Sequence, residues 1–517
     1  MKKRIVYIVS YFLLLLTLFV CQKPFFMLYN DAAEKGALFS DFFRVMGNGI
    51  SLDATTAGYL TALPFLMVLI SIWVKKFPLR KILLPYYIIA SLLVAVVFVV
   101  DMGLYPFWGF KLDASIFLYL DSPKEAMASV SFGFILLRVV AMLMLTTFYV
   151  WLMCKVTPHQ LEVTAKRIGG TLGMLFLGGI LFIIIRGGVT ESTSNVGQVY
   201  FSNNQFLNHS AVNPCFRLLS SMGKSKDFAS EFNFFEEEKR AKLVEGLYPT
   251  SDGDSLKQVL TTNRPNVLLI LMEGFGGAFI EPLGGLSDVA PNLNRLSEEG
   301  IFFTHCYANS FRTDRGTVCA LSGYLGLPTV SVMKIPTKSR TLPAISEELV
   351  KAGYQTDFLY GGDINFTNMK SYLLSKGYQH LTADTDFSLA ERNSNVWGVN
   401  DDITSEWLLN HLKQRSDKET PWFTTYLTLS SHEPFDVPYS RLEEKIPNAF
   451  AYTDECLGKL IEGLKQTPLW KDLLIVCIPD HGFCYPQGTT DRGGEFSHIP
   501  MLWLGGAVKN PMKVDKI

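Results

Sequence analysis

Residues 265–273 read Pro-Asn-Val-Leu-Leu-Ile-Leu-Met-Glu, an unbroken apolar run from Val267 to Met272 closed by a carboxylate at Glu273. A short run of this kind, preceded by proline and ended by a charge, is the pattern of a strand buried on both faces of a sheet. Four more runs come after it: Thr356 to Tyr360, Phe423 to Leu429, Leu473 to Ile478 and Pro500 to Leu504. Helix-like stretches separate them. Pro291 to Glu299 is closed by Gly300 and Pro343 to Ala352 by Gly353, glycine just past a helix end being the expected stop. Longer stretches run near Asp402 to Arg415 and Phe450 to Lys465. Strands alternating with helices predict an α/β domain over residues 265–517, built on a mainly parallel sheet.

The residues just past each strand carry the chemistry. Glu273 stands after the first, Gly361-Gly362-Asp363 after the second, Ser430-Ser431-His432 after the third and Pro479-Asp480-His481-Gly482 after the fourth. Open parallel sheets bind ligands at the carboxyl ends of their strands, so these residues are expected to converge on one crevice. Asp480 and His481 are adjacent oxygen and nitrogen donors, and Glu273 adds a carboxylate. That set suits one divalent ion, Mn2+ or else Zn2+ or Mg2+, with the histidine arguing against a pure Mg2+ or Ca2+ site. A metal there would lower the pKa of a coordinated hydroxyl and neutralise charge on a phosphoryl group. His432 and His498 would then hold substrate or protonate a leaving oxygen. The polar segment Ser310 to Thr317 precedes a helix-compatible run, Val318 to Leu321, which puts Thr313 and Asp314 near a helix N-terminus, where free amides favour an anion. A threonine there is more often a cap than a nucleophile. The donors at the strand ends reverse that preference.

The other half of the chain reads differently. Over 517 residues the mean hydropathy is +0.20, and the excess lies in the first third. Five stretches have the length and composition to span a bilayer, near Ile5 to Cys21, Ala57 to Val74, Ile82 to Val100, Ser129 to Met153 and Gly170 to Ile185. The first resembles a signal peptide, but no A-x-A-like site comes after it and four more spans do. Lys2, Lys3 and Arg4, then Lys75, Lys76, Arg80 and Lys81, then Lys155, Lys166 and Arg167 mark the cytoplasmic side. The loop with Asp101, Asp113, Asp121 and Glu125 lies outside, so everything after Arg186 is expected beyond the membrane. Arg138, inside the fourth span, needs water, a head group or a partner. Gly169, Gly170, Gly173, Gly178 and Gly179 predict a small-residue packing face on the fifth. Residues 189–264 read as an extracytoplasmic linker with amphipathic helices, including the charged stretch Glu231 to Lys242. The net charge of -1 gives no reason to expect a nucleic-acid partner. The eight cysteines show no zinc spacing, and Cys306 and Cys319 are close enough in sequence to pair.

Met272-Glu273-Gly274-Phe275, Ala290-Pro291-Asn292-Leu293, the Thr313 segment and Pro479-Asp480-His481-Gly482, in that order behind five spans, resemble the lipoteichoic acid synthase family. That family is the sulfatase-like branch of the alkaline phosphatase superfamily. The resemblance implies a five-span membrane domain (1–188) ahead of a sulfatase-like catalytic domain. It implies Glu273, Thr313, Asp480 and His481 as ligands of a Mn2+-type ion, with Thr313 also the nucleophile. It also implies His432 as a substrate ligand, with Trp397-Gly398-Val399-Asn400-Asp401 close by. Family members move phosphoglycerol from phosphatidylglycerol, through a phosphothreonine, to a glycan, glycolipid or polymer outside the bacterial cytoplasmic membrane. The chain departs from the family at two places. Asn368 and Lys370 stand where the polymer synthases carry tryptophan and arginine, and lysine lacks arginine's bidentate fork. Asp314-Arg315 replaces the usual small serine after the nucleophile, so Arg312 or Arg315 becomes a candidate for the missing cation, and Asp363, Lys370 and Arg315 join His432 and His498 as candidate substrate-binding residues. The family usually continues further, so a shortened C-terminus is expected. Alternatives are a phosphoethanolamine transferase, a sulfatase or phosphodiesterase hydrolase (though no C/S-x-P-x-R context surrounds Thr313 or Cys319), and a non-catalytic sensor.

Overall fold

The structure, a computed structural model, describes residues 1–114, 116–117, 132–222, 233–247, 257–415, 420–486 and 493–515. Asp121, Glu125, Glu231 and the start of the fourth predicted span (129–131) lie outside these. The chain divides near residue 226 into two compact units.

In the first unit, five helices are long and apolar enough to cross a membrane. They are α1 (Lys2–Tyr29), α3 (Ile50–Ile70), α4 (Leu79–Trp108), α5 (Phe132–Val156) and α6 (Arg167–Arg186), with the short α2 (Phe39–Asn48) after α1. Their outward faces carry exposed large apolar side chains such as Leu137, Met144, Leu172 and Phe182, as expected where lipid rather than water is the neighbour. The basic loops meet at one end. Arg4 donates to the Ser71 carbonyl at 2.8 Å and the Glu162 carbonyl at 2.7 Å. Two short strands, β1 (Lys76–Phe77) and β2 (Leu161–Glu162), pair antiparallel there. Three segments assigned to one side by charge are thus held together by hydrogen bonds.

The opposite end is a buried ionic layer. Lys23 pairs with Asp53 at 2.7 Å, Arg217 with Asp113 at 3.0 Å, and Lys111 with Asp101. Asn213 donates to Asp53 at 2.9 Å. Asn213 and Arg217 belong to the segment read as linker. Residues 189–222, with α7 (Gln205–Ala211) and α8 (Pro214–Met222), pack instead into the first unit, because these polar groups need the aspartates at the helix ends. Helix α9 (Glu237–Leu247) carries the charged stretch on exposed side chains. Arg138 donates to the Tyr29 hydroxyl and lies 3.1 Å over the Phe134 ring, so its partner is protein. The glycine face of α6 is split. Gly170 and Gly178 abut Met1 and Phe65, while a side chain at 169, 173 or 179 would meet open space.

The second unit is an eight-stranded sheet in the order β10-β4-β9-β8-β3-β7-β5-β6. Its strands are β3 (Asn266–Met272), β4 (Ile301–Tyr307), β5 (Gln355–Tyr360), β6 (His380–Thr382), β7 (Trp422–Leu427), β8 (Leu473–Pro479), β9 (His498–Leu504) and β10 (Met512–Val514). Among these strands only β9 runs antiparallel to its neighbours. In β3, Leu268, Ile270 and Met272 enter the core on one face, and Leu269 and Leu271 enter the core on the other. Helices α10 (Pro291–Leu296), α13 (Asp401–Lys413) and α14 (Lys445–Lys465) cover the first face. Helix α11 (Thr313–Ser322), with the segment 369–375, covers the second, and α12 (Ile345–Lys351) packs against β5. β4, β6 and β10 were not expected from the sequence.

Candidate active site

The central strands β8, β3 and β7 end side by side, and their next residues meet. Glu273, Asp480 and His481 each bring a donor atom within 4.8 Å of the others. His481 Nε2 stands 3.3 Å from Glu273 Oε1 and 3.5 Å from Asp480 Oδ2. The imidazole is oriented from behind, since Nδ1 lies 2.7 Å from the Gly482 carbonyl, which fixes the proton there and leaves Nε2 as the donor atom. Asp480 is divided in its duties. Oδ1 accepts the backbone amides of Gly274 at 3.0 Å and His481 at 2.9 Å, whereas Oδ2 is buried without a hydrogen-bond partner. A buried carboxylate oxygen facing a second carboxylate and an imidazole nitrogen is a fit for a divalent cation.

The charges show the same demand. Burial, then Glu273, push Asp480 up to about 7. Burial works against charge on His481, but Asp480 and Glu273 hold it up at about 10. Burial also works to raise Glu273, yet the hydrogen bond and charge of His481 take it below the ordinary carboxylate range. Three groups share protons where a cation would balance them.

Thr313 is the first residue of α11, and Arg312 is the cap. Its hydroxyl does not cap the helix but donates to Glu273 Oε2 at 2.9 Å. Helix α11 is seated by Gly316, where a Cβ would stand 2.0 Å from the Asp480 carbonyl oxygen. Alanine normally favours a helix over glycine by about 1 kcal/mol. Here the overlap with backbone dominates, and Gly316→Ala is expected to destabilise the second unit by roughly 1–3 kcal/mol. It should also carry Thr313 away from Glu273. Thermal unfolding read alongside labelling of Thr313 checks both, and a Gly316→Ala chain as stable and as reactive as the parent would contradict the packing.

The third strand end is built with equal care. Thr428 Oγ1 accepts the Glu273 amide at 2.9 Å, and the Ser431 hydroxyl donates to the Glu273 carbonyl at 2.7 Å. Asp401, buried, accepts the amides of Leu429 at 2.8 Å and Ser430 at 3.0 Å, and the Thr453 hydroxyl at 2.9 Å. Burial pushes its carboxyl up despite those bonds. This gives the 397–401 stretch a physical role, holding the turn that carries His432. The His432 ring lies edge-on to Trp397, centroids 4.8 Å apart, with Nδ1 2.9 Å from the Glu433 carbonyl.

Four other expected residues are placed less directly. Asp363 closes a turn by accepting the Asn365 amide at 2.9 Å. Lys370 feels Asp386 and Asp363, though burial, the larger influence, lowers its pKa. Tyr360 connects this acidic group to the donors, its phenol pushed up by burial and then by Glu273, Asp363 and Asp480. Arg315 turns toward the 330 loop, its Nε 3.3 Å from the Val330 carbonyl and its guanidinium over Phe311. His498 binds the Thr304 carbonyl through Nε2 at 2.7 Å and stacks on Tyr307, neither of them a metal donor. Asn368 donates to the Met333 carbonyl at 3.1 Å. Asp314, the residue after Thr313, is paired with Lys334, whose Nζ lies 3.0 Å from its Oδ2, a pair that sequence reasoning missed. The available signal was Asp314 itself, a carboxylate next to Thr313 that needs a partner once buried. None of the eight cysteines, Cys306 and Cys319 included, is in a disulfide.

Residues 265–516 match the sulfatase family model. Among curated proteins, the lipoteichoic acid synthase of Staphylococcus aureus is 24% identical over 237 residues, 42% of this chain and 36% of that protein. The match therefore spans only about a third of that relative's length (36%). Among solved structures, a protein in the alkaline phosphatase superfamily from Vibrio parahaemolyticus is 28% identical with a TM-score of 0.48, over 55% of this chain and 72% of that one. The lipoteichoic acid synthase LtaP from Listeria monocytogenes is 18% identical with a TM-score of 0.47, over 53% and 73%.

Proposed function

We propose, for a chain whose residues 265–516 are a sulfatase-family domain of the lipoteichoic acid synthase-like branch, that it is a membrane-bound phosphotransferase. It moves a phosphoglycerol-type head group from phosphatidylglycerol to an extracytoplasmic glycan, glycolipid or polymer. The observation that carries this reading is the Thr313 hydroxyl on Glu273 at 2.9 Å, inside a buried donor set whose Asp480 Oδ2 has no hydrogen-bond partner among the described residues.

Glu273, Asp480, His481 and Thr313 would hold one divalent ion, Mn2+ by preference. When bound, the ion stabilises the threonine alkoxide and the charge on the phosphoryl oxygens. Thr313 Oγ forms the new P–O bond as the bond from phosphorus to the diacylglycerol oxygen breaks. Glu273 Oε2, already the hydrogen-bond acceptor, takes the hydroxyl proton. His432 returns a proton to the departing diacylglycerol oxygen. An acceptor hydroxyl then attacks the same phosphorus and passes its proton to the now neutral His432, the bond to Thr313 breaks, and Glu273 returns its proton to the threonine oxygen. Trp397 supports His432 from the side, and Lys370 with Asp363 lines the head-group end.

The test is a panel of lipids labelled in the head group, given to the full chain with Mn2+. Phosphatidylglycerol is expected to leave its glycerol-phosphate label covalently on Thr313. Label from phosphatidylethanolamine instead would replace this reading with the phosphoethanolamine alternative, for which the free thiols offer no crosslinked framework. Release of sulfate or phosphate without any labelled enzyme would point to a hydrolase.

A further inference from the structure

The first unit contains a cavity of about 630 Å³ between α3, α6 and α8, within the size range of small-molecule sites. Its walls are apolar, with Tyr59 from α3, Phe182 from α6, and Phe216 and Leu219 from α8. Tyr59, Phe182 and Leu219 are 56%, 65% and 61% exposed, so the mouth is bordered by the same kind of apolar side chain that covers the spans. An apolar mouth on a spanning helix opens to acyl chains and not to water.

Arg186, the last residue of α6, also lines the cavity. Its guanidinium donates to the carbonyls of Gly188 at 3.0 Å and Glu191 at 3.4 Å. Among the described residues no carboxylate pairs with it, whereas Lys23, Lys111 and Arg217 at the same end each have an aspartate. Arg186 is half-buried, and keeping an unmatched charge there favours an anion from outside the protein. Ser220 adds a hydroxyl to the lining. A cation at the helix end above an apolar wall along two spans has the chemistry of one phospholipid, phosphate at the top and chain below.

We propose that the cavity between α3, α6 and α8 seats a single anionic phospholipid of the outer leaflet. Its phosphate lies on Arg186 and the first part of its chain against Tyr59, Phe182 and Leu219. The site lies wholly within the first unit and makes no use of Thr313, so it stands apart from the phosphotransfer reading.

Native mass spectrometry of the detergent-solubilised full chain tests it, in a Thr313→Ala background so that bound lipid is not consumed. Beyond any copy held at the Thr313 site, which the Arg186 and Leu219 variants leave unchanged, phosphatidylglycerol is expected to bind at one further copy, roughly tenfold more tightly than phosphatidylcholine, the difference one charge contact of about 1.4 kcal/mol supplies. Arg186→Gln should bring both lipids to the same affinity, and Arg186→Lys should keep the preference. Leu219→Trp, which fills the cavity from an exposed position, should weaken both lipids while thermal unfolding stays at the parent temperature. A parental preference in Arg186→Gln, parental binding in Leu219→Trp, or displacement of lipid by equimolar inorganic phosphate would each overturn the proposal.

Discussion

Thr313→Ala is expected to lower turnover at least about a thousandfold, because removing the proposed covalent nucleophile takes away the step that every later step needs. The labelled enzyme should vanish with it. The fold should survive. Thr313 is the first residue of α11, its hydroxyl caps no backbone amide, and its one hydrogen bond goes to Glu273 at 2.9 Å. Losing that bond costs about 1 kcal/mol, and alanine is at least as good a helix former. Thr313→Ser separates the chemistry from the packing. It keeps the hydroxyl over Glu273 and is expected to keep covalent labelling at a reduced rate, where alanine shows none. Turnover in the alanine variant within tenfold of the parent would remove Thr313 from the mechanism. So would a serine variant as dead as alanine with an unchanged unfolding temperature, since a hydroxyl nucleophile should tolerate that exchange in part.

How much of this centre could be read from the chain depends on the range over which each residue acts. Glu273, Asp480 and His481 come at or just past the ends of apolar runs, and a buried parallel strand is recognisable from its own residues, so their meeting was legible. β4 was not. Ile301-Phe302-Phe303 is interrupted by Thr304-His305-Cys306, and its strand character comes from pairing with β9 and β10. β6 and β10 are three residues each, too short to carry a pattern. The direction of β9 is likewise a property of its neighbours. The supporting charges were hidden for the same reason. Lys334 is twenty positions from Asp314, and Arg415 grips buried Asp357 at 2.6 Å from 58 positions away. Nothing local marks either pair. Arg315, two residues after Thr313 in sequence, points elsewhere because the helical turn after Thr313 carries it to the 330 loop. In the first unit the span helices were plain from composition. The attachment of residues 189–222 to them was not, since it rests on Asn213 and Arg217 finding aspartates far away in sequence.

Asp480→Asn is the change that isolates the metal. Oδ1 of Asp480 accepts two backbone amides, a job that an asparagine carbonyl does equally well. Oδ2 is the atom with no hydrogen-bond partner among the described residues, and asparagine puts a neutral amino group there, a donor that repels a cation. The substitution therefore keeps the structural half of the residue and deletes the half proposed as a metal ligand. In chelator the variant should be at least as stable as the parent, because it removes one of two carboxylates buried against each other. In Mn2+ the two should separate. At a hundred times the dissociation constant, a ligand that binds only the folded state adds about 2.7 kcal/mol. For a unit of this size that is a rise of roughly 5–10 °C in the unfolding temperature. The parent is expected to show that rise and the Asp480→Asn chain almost none, with covalent labelling of Thr313 lost in parallel. Calorimetry with and without Mn2+, Zn2+ and Mg2+ reads the effect without any need for turnover. It also ranks the three ions by the size of the shift. Equal stabilisation of parent and variant would place the ion away from Asp480. The unpartnered oxygen would then need another explanation, and Thr313 would have to be activated by Glu273 alone.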